Sequence, residues 1–238
     1  MSLYGWVMIF TIIGPFALSF DKKVHFYTYF IPLIKSIVPI STLFIFWDIL
    51  FTKKEIWGFT ADYITTIKIV NLPLEEVLFF ILVPFACLFI YEVVRHYFPN
   101  LNVSKFIKPF NYGFIGLGLL LIINGIGNWY TCSAVTAGIL LVLIFGIILK
   151  KSWYGWFVVS FLVALIPFLI VNGILTGATT PKPIVWYSEN HIVGWRIITI
   201  PVEDIFYNLS LLLPITAIFE FVKKNKVVLI LLLYIFVL

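Results

Sequence analysis

Apolar residues are gathered into long stretches, and the short breaks between them carry most of the charge. A hydrocarbon core about 30 Å thick is crossed by about 20 mostly apolar helical residues, with about 17–25 as the working range. Seven stretches approach or meet that length: Leu3–Phe20, Phe30–Phe51, Pro73–Arg95, Tyr112–Gly127, Ser133–Leu149, Trp153–Leu175 and Ile200–Val222. An eighth, Val227–Leu238, has 12 residues and would cover about 18 Å as a helix, enough for a partial span or an interfacial segment. No basic region precedes the first stretch and no small-residue cleavage site follows it, so it is not read as a removed signal peptide. The expected fold class is an all-α integral membrane protein with seven transmembrane helices and a short C-terminal eighth. No soluble domain or low-complexity linker is expected.

The chain repeats itself. Leu72-Pro73-Leu74-Glu75-Glu76-Val77-Leu78-Phe79 matches Ile200-Pro201-Val202-Glu203-Asp204-Ile205-Phe206-Tyr207 at an offset of 128. Lys68 then falls on Arg196, Glu92 on Glu220, and Lys22-Lys23 on Lys150-Lys151. With small gaps, Trp57 aligns with Trp186 and Asp48 with Asn172. The copies are helices 1–3 and 5–7, which gives 1–98 as the first repeat, 99–131 as a connecting segment with helix 4, and 132–238 as the second repeat with the C-terminal helix. A shift of four spans preserves direction across the membrane, so the two three-helix repeats are parallel. Both Pro-x-Glu-acid motifs therefore start their helices at one membrane face, to which Asp48 and Asn172 also come.

Composition supports the membrane class. The chain is 62% apolar, 19% aromatic and 11% charged, with a mean hydropathy of +1.10, whereas a soluble domain averages about 45–50% apolar and about 25% charged. Only Cys87 and Cys132 are present, which excludes a disulfide scaffold, and the abundance of Phe and Tyr excludes disorder. The basic residues are dispersed between apolar runs rather than clustered, so nucleic acid is not an expected partner. Eleven Lys and Arg fall on one side of the spans and five on the other. The positive-inside rule then puts the N-terminus outside a bacterial-type cytoplasmic membrane.

The 11 acids of so greasy a chain frame its chemistry. At a helix start, Glu75, Glu76, Glu203 and Asp204 complement the helix dipole for about 0.3–1 kcal/mol each, which is a sufficient account of one copy. Two copies followed by apolar residues need more, because adjacent acids point about 100° apart and cannot both easily reach water. A buried ionised carboxylate costs about 2.5–3.5 kcal/mol at a helix centre. Holding a Glu neutral at pH 7 costs a comparable ~3.7 kcal/mol. Acids clustered in a dry pocket therefore keep a proton among them and become donors. Lys68 and Arg196 either tune that charge or snorkel to the interface. Phe79, Phe80, Phe206 and Tyr207 lie three or four positions beyond the acids, where ring faces stabilise a desolvated cation by about 2 kcal/mol. Trp57, Trp186, Trp129 and Trp153 read instead as an interfacial belt. His25, His96 and His191 are scattered, so no metal site is expected, and no nucleotide fingerprint or Walker loop is present. Acids and rings in an apolar cavity point to protonation of an alkene.

The runs Phe46-Trp47-Asp48, Trp57-Gly58-Phe59 and Leu72-Pro73-Leu74-Glu75-Glu76-Val77-Leu78-Phe79-Phe80, with Leu175-Thr176-Gly177, Ile184-Val185-Trp186-Tyr187 and Ile200-Pro201-Val202-Glu203-Asp204-Ile205-Phe206-Tyr207-Asn208 as a second copy, resemble the lycopene cyclase domain. This is the small membrane family without a flavin cofactor, here with both copies fused. The resemblance implies redox-neutral cyclisation of the ends of lycopene to β-rings, with no cofactor and with a carotenoid drawn from the bilayer. On that reading Glu75, Glu76, Glu203 and Asp204 are the catalytic acids and bases, and Phe79, Phe80, Phe206 and Tyr207 bind substrate. Asp48, Asn172, Lys68 and Arg196 support them. Ring type, the number of ends cyclised, the division between acid and base, and oligomerisation or contact with other carotenoid enzymes stay open. A carotenoid hydratase using the same cation, or a transporter with a carboxylate proton relay, are the alternatives.

Overall fold

The helices that carry the two acid pairs are the innermost of the bundle. The computed structural model describes residues 2–237, with side chains as far as residue 225. Seven helices are described: α1 (Leu3–Leu18), α2 (Phe30–Lys53), α3 (Leu74–Tyr97), α4 (Ser104–Asn124), α5 (Trp129–Val142), α6 (Tyr154–Leu175) and α7 (Glu203–Val237). A π-helical turn, Leu143–Ile148, extends α5. Six helical segments are long and apolar enough to cross a membrane, and α1 is a shorter apolar helix of 16 residues. The expected eighth helix is not separate, because the backbone of α7 runs through to Val237. The side chains of that stretch, and Leu238 itself, lie outside the described residues.

α3 packs on α1, α2 and α6, while α7 packs on α5, α2 and α6. The second helix of each repeat thus rests on the third helix of the other, and the two copies interlock. Their shared core includes Phe80, Leu88, Phe206, Leu209, Leu213 and Phe219, all almost fully buried. Proline in α3 shows how the packing compensates for backbone defects. Pro84 leaves the carbonyl of Phe80 without its helical donor, and Ser41 of α2 donates its hydroxyl to that oxygen at 2.5 Å, as a membrane interior requires.

At the end opposite the acids, α3 and α7 are joined by crossed ion pairs. Lys223 meets Glu92 at 2.6 Å, and Arg95 pairs with Glu220. These residues match at the repeat offset, Glu92 with Glu220 and Arg95 with Lys223, so the clamp is a pair of reciprocal bridges.

Six very short strands, absent from the expectation, organise the acid end. β1 (Trp57–Phe59) pairs antiparallel with β4 (Val185–Tyr187), joining the loops of the two repeats in the register Trp57–Tyr187, Gly58–Trp186 and Phe59–Val185. β2 (Lys68–Ile69) with β3 (Leu72–Pro73), and β5 (Arg196–Ile197) with β6 (Ile200–Pro201), form two hairpins that lead into the acid motifs. Val70 and Ile198 at their turns both have φ of 60°. That left-handed backbone is unfavourable for a β-branched residue, and the hairpin pairing holds it. Pro73 is the N-cap of α3, and Pro201 ends β6 two residues before α7 begins.

Candidate active site

Each acid pair splits into an outer clamp and an inner acid. Glu75 accepts the backbone N–H of Thr65 at 2.9 Å, the Thr65 hydroxyl at 2.9 Å, and the Ser2 hydroxyl. Glu203 accepts the backbone N–H of Val193 at 2.7 Å and the Thr131 hydroxyl at 2.6 Å. Thr65 and Val193 lie 128 positions apart, so the outer acids do the same work twice: each pins the loop ahead of its helix. Helix geometry then turns the next residue inward. Glu76 accepts the Tyr4 hydroxyl at 2.6 Å, and Asp204 accepts the Tyr130 hydroxyl at 2.6 Å. Both tyrosines are the second residue of the first helix of a repeat.

Glu76 and Asp204 line one cavity of about 50 Å³, and neither Glu75 nor Glu203 lines it among the described residues. Its other walls are mostly aromatic: Tyr4, Trp57, Phe79, Tyr130, Phe168, Tyr187 and Tyr207. Tyr130 stacks on Tyr187 with ring centroids 5.7 Å apart, and Trp57 stands edge-on to Tyr130 at 5.1 Å. The hydroxyl of Tyr207 and the amide nitrogen of Asn208, both on lining residues, have no protein partner among the described residues. They are polar groups available to whatever fills the space.

The surroundings of the two inner acids differ. Asn172 donates its side-chain N–H to Asp204 at 2.6 Å and Tyr187 adds its hydroxyl at 3.0 Å, so with Tyr130 three donors surround this carboxylate. Burial, and beside it the Asp204 charge, hold the Tyr187 phenol well above its ordinary pKa, so it stays a donor. On the other side the carboxyl groups of Asp48 and Glu76 are neighbours and act on each other. Asp48, fully buried, takes the Trp57 indole N–H and the Thr52 hydroxyl on one oxygen, while its second oxygen has no donor among the described residues.

A second space adjoins the cavity. An almost wholly apolar groove of about 450 Å³ runs between α1, α3 and α6, and it shares Phe79, Phe168 and Asn172 with the acid cavity. Its walls extend from Val7 to Pro15 on α1, from Phe79 to Ile90 on α3 and from Ala164 to Ile174 on α6. Exposed Phe10 and Ile170 at its edge mark it as facing the hydrocarbon layer.

The structure brings Glu76, Asp204, Phe79, Tyr207 and Asn172 to the cavity, with Asp48 directly behind Glu76. It does not bring the others. Phe80 packs in the core near Phe44 and Phe79, and Phe206 lies against Phe114 with centroids 4.2 Å apart. Lys68 is exposed on its hairpin, and Arg196 pairs with Glu189 at 2.7 Å. Trp57 is a correction to the belt reading: it is buried, walls the cavity and donates to Asp48. Nor is Trp186 its structural counterpart, since Trp186 pairs with Gly58, whose missing side chain admits the Trp186 ring. Tyr4, Tyr130, Tyr187 and Phe168 are site residues that the sequence reading missed. At the repeat offset Tyr4 falls on Cys132, so the first two are matched only by their place in the folded helices.

No curated protein and no solved structure matches the chain. A family model described as lycopene cyclase does, over residues 1–94 and 127–222. Those two stretches contain both inner acids, the whole of α1, α2, α5 and α6 and the larger part of α3 and α7, while all of α4 falls between them. With most of its length matched in this doubled form, the chain belongs to the lycopene cyclase family.

Proposed function

We propose that the protein catalyses the acid-initiated, redox-neutral cyclisation of the linear ends of lycopene to β-rings. One observation carries this reading: two carboxyl groups from different repeats line a single aromatic-walled cavity that shares three wall residues with an apolar groove. The polyene lies along the groove, and its end reaches the acids past Phe79 and Phe168. A carboxylic acid protonates the terminal double bond, leaving a tertiary cation. The neighbouring internal double bond attacks that cation and closes the ring by a new C–C bond. A carboxylate then removes a ring proton and a double bond forms, so one proton enters and one leaves and the product is an isomer. The rings of Trp57, Tyr130 and Tyr207 supply faces that stabilise the cation, and the dry walls keep water from capturing it. The lysine and arginine bias supports an orientation with the N-terminus and the acid cavity toward the outer face of a bacterial-type cytoplasmic membrane.

Expression in a lycopene-accumulating host, followed by chromatography of the pigments, tests the reading. Conversion to β-carotene or its one-ringed precursor is expected. A hydroxylated, uncyclised product would assign the protein as a hydratase, and unchanged lycopene with the protein present in the membrane would overturn the enzymatic reading.

A further inference from the structure

We infer that the two repeats divide the proton transfers between them, and that the Asp48/Asn172 difference sets the division. Asp48 shares a proton with Glu76, which delivers it to the alkene, and Asn172 keeps Asp204 as the acceptor. This rests on the cyclisation reading above and assigns roles within it.

The geometry of the first repeat requires a proton. Ionised carboxylates only accept hydrogen bonds, yet Asp48 has Glu76 as its neighbour, and one buried Asp48 oxygen has no donor among the described residues. A single proton between the two carboxyls satisfies both facts. Asp48 is fixed from behind by Trp57 and Thr52, so the member free to turn toward the cavity is Glu76, whose other described partner is the Tyr4 hydroxyl. Asp48 is therefore a positioning residue that acts through Glu76.

In the second repeat the same place is filled by an amide. Asn172 donates to Asp204 where Asp48 meets Glu76, and Tyr130 and Tyr187 complete the set of three donors. Tyr187 corresponds at the repeat offset to Phe59, which has no hydrogen to give. Three donors on one carboxylate favour its ionised form, which suits a base and not an acid. The cycle balances as follows. Glu76 loses its proton to the terminal alkene carbon, the C–C bond closes the ring, and Asp204 takes the ring proton. Asp204 then gives its proton to water and the Asp48–Glu76 pair takes one from water, so none is consumed over the cycle.

The test uses membranes containing the full chain, supplied with unlabelled lycopene in deuterated buffer, with activity normalised to the amount of protein in the membrane. The wild type is expected to yield rings carrying one deuterium each. Asp48→Asn keeps the shape of the side chain and its bonds from Trp57 and Thr52 while copying the Asn172 arrangement. It is expected to lower both ring formation and deuterium entry into the recovered linear carotenoid by at least about 100-fold, the lower end of the range for general acid–base catalysis. Asp204→Asn removes the acceptor alone, so ring formation falls by a similar factor while deuterium still exchanges into the terminal alkene, because protonation there is reversible. Asn172→Asp, which leaves the first repeat untouched, is expected to behave as Asp204→Asn does. Ring formation by Asp48→Asn or Asn172→Asp within about threefold of wild type would overturn the inference, as would exchange that survives in Asp48→Asn or disappears in Asp204→Asn. A wild type that forms no ring at all would instead reject the cyclisation reading.

Discussion

In the first repeat the inner acid meets a second carboxyl, Asp48 against Glu76, and in the second repeat it meets an amide, Asn172 against Asp204. Apart from Tyr187, whose counterpart Phe59 has no hydroxyl, the surroundings of that point are built alike. The outer acids Glu75 and Glu203 hold backbone N–H groups at matched loop positions, tyrosines from matched helix starts reach the inner acids, and matched hairpins precede both motifs. The difference shows how a duplicated scaffold yields a site with two unlike ends. Cyclisation needs a proton given and a proton taken, and two identical carboxyls in one cavity would compete for the same role. On the proposed cyclisation, the change from carboxyl to amide behind the inner acid, together with the added Tyr187 donor, separates them.

Several substitutions break or sharpen that comparison, the largest first. Glu203→Ala would strip the buried acceptor from Val193 and Thr131. Leaving those groups unpaired is expected to cost about 3 kcal/mol, seen as a lowered melting temperature in detergent, and Glu75→Ala should behave alike through Thr65. A marked inequality between the two would break the symmetry of the clamps. Gly58→Ala would set a methyl group 2.3 Å from the Trp186 ring. It is expected to cost about 1–3 kcal/mol by parting the strand pair that joins the repeats, whereas Gly113→Ala, with nothing near its added carbon, should be tolerated. Tyr187→Phe would remove one of the three donors to Asp204 and copy the Phe59 of the first repeat. About a tenfold loss of cyclisation, or about 1.4 kcal/mol, is expected with little change in thermal stability. Arg95→Gln would open one of the two crossed ion pairs between α3 and α7. Since both partners are partly exposed, about 1 kcal/mol of stability is expected to be lost, with the cyclisation rate unaffected because the clamp lies at the other end of the helices.

The helices were legible because each presents a long apolar run, and the acid pairs because they occur twice at one offset. The start of α4 was missed by eight residues, since Lys105, Lys108 and Pro109 interrupt the apolar pattern although the helix already begins at Ser104. The strands were invisible because two or three residues give no alternation to read. Within each acid pair the sequence does not reveal which member faces the cavity, because both sides of α3 and α7 are buried and hydrophobic periodicity has no solvent face to point from. The clamps escaped for a related reason. They act on backbone N–H groups of Thr65 and Val193, and a backbone donor leaves no mark in the choice of residue. The same ambiguity put Phe80 and Phe206 beside Phe79 and Tyr207 as substrate-binding rings, when a single residue step, about 100° around the helix, separates core from cavity.

The central claim is that the inner acids carry the chemistry and the outer acids hold the loops. Four single amide substitutions test it in one experiment: Glu75→Gln, Glu76→Gln, Glu203→Gln and Asp204→Asn, each expressed in a lycopene-accumulating host, with cyclised pigment measured by chromatography per unit of membrane protein. Glu76→Gln and Asp204→Asn are expected to lose cyclisation by about 10²–10⁴-fold, while Glu75→Gln and Glu203→Gln stay within about tenfold of wild type, less stable but active. Outer variants that are folded and inactive, or inner variants that cyclise at the wild-type rate, would contradict the account.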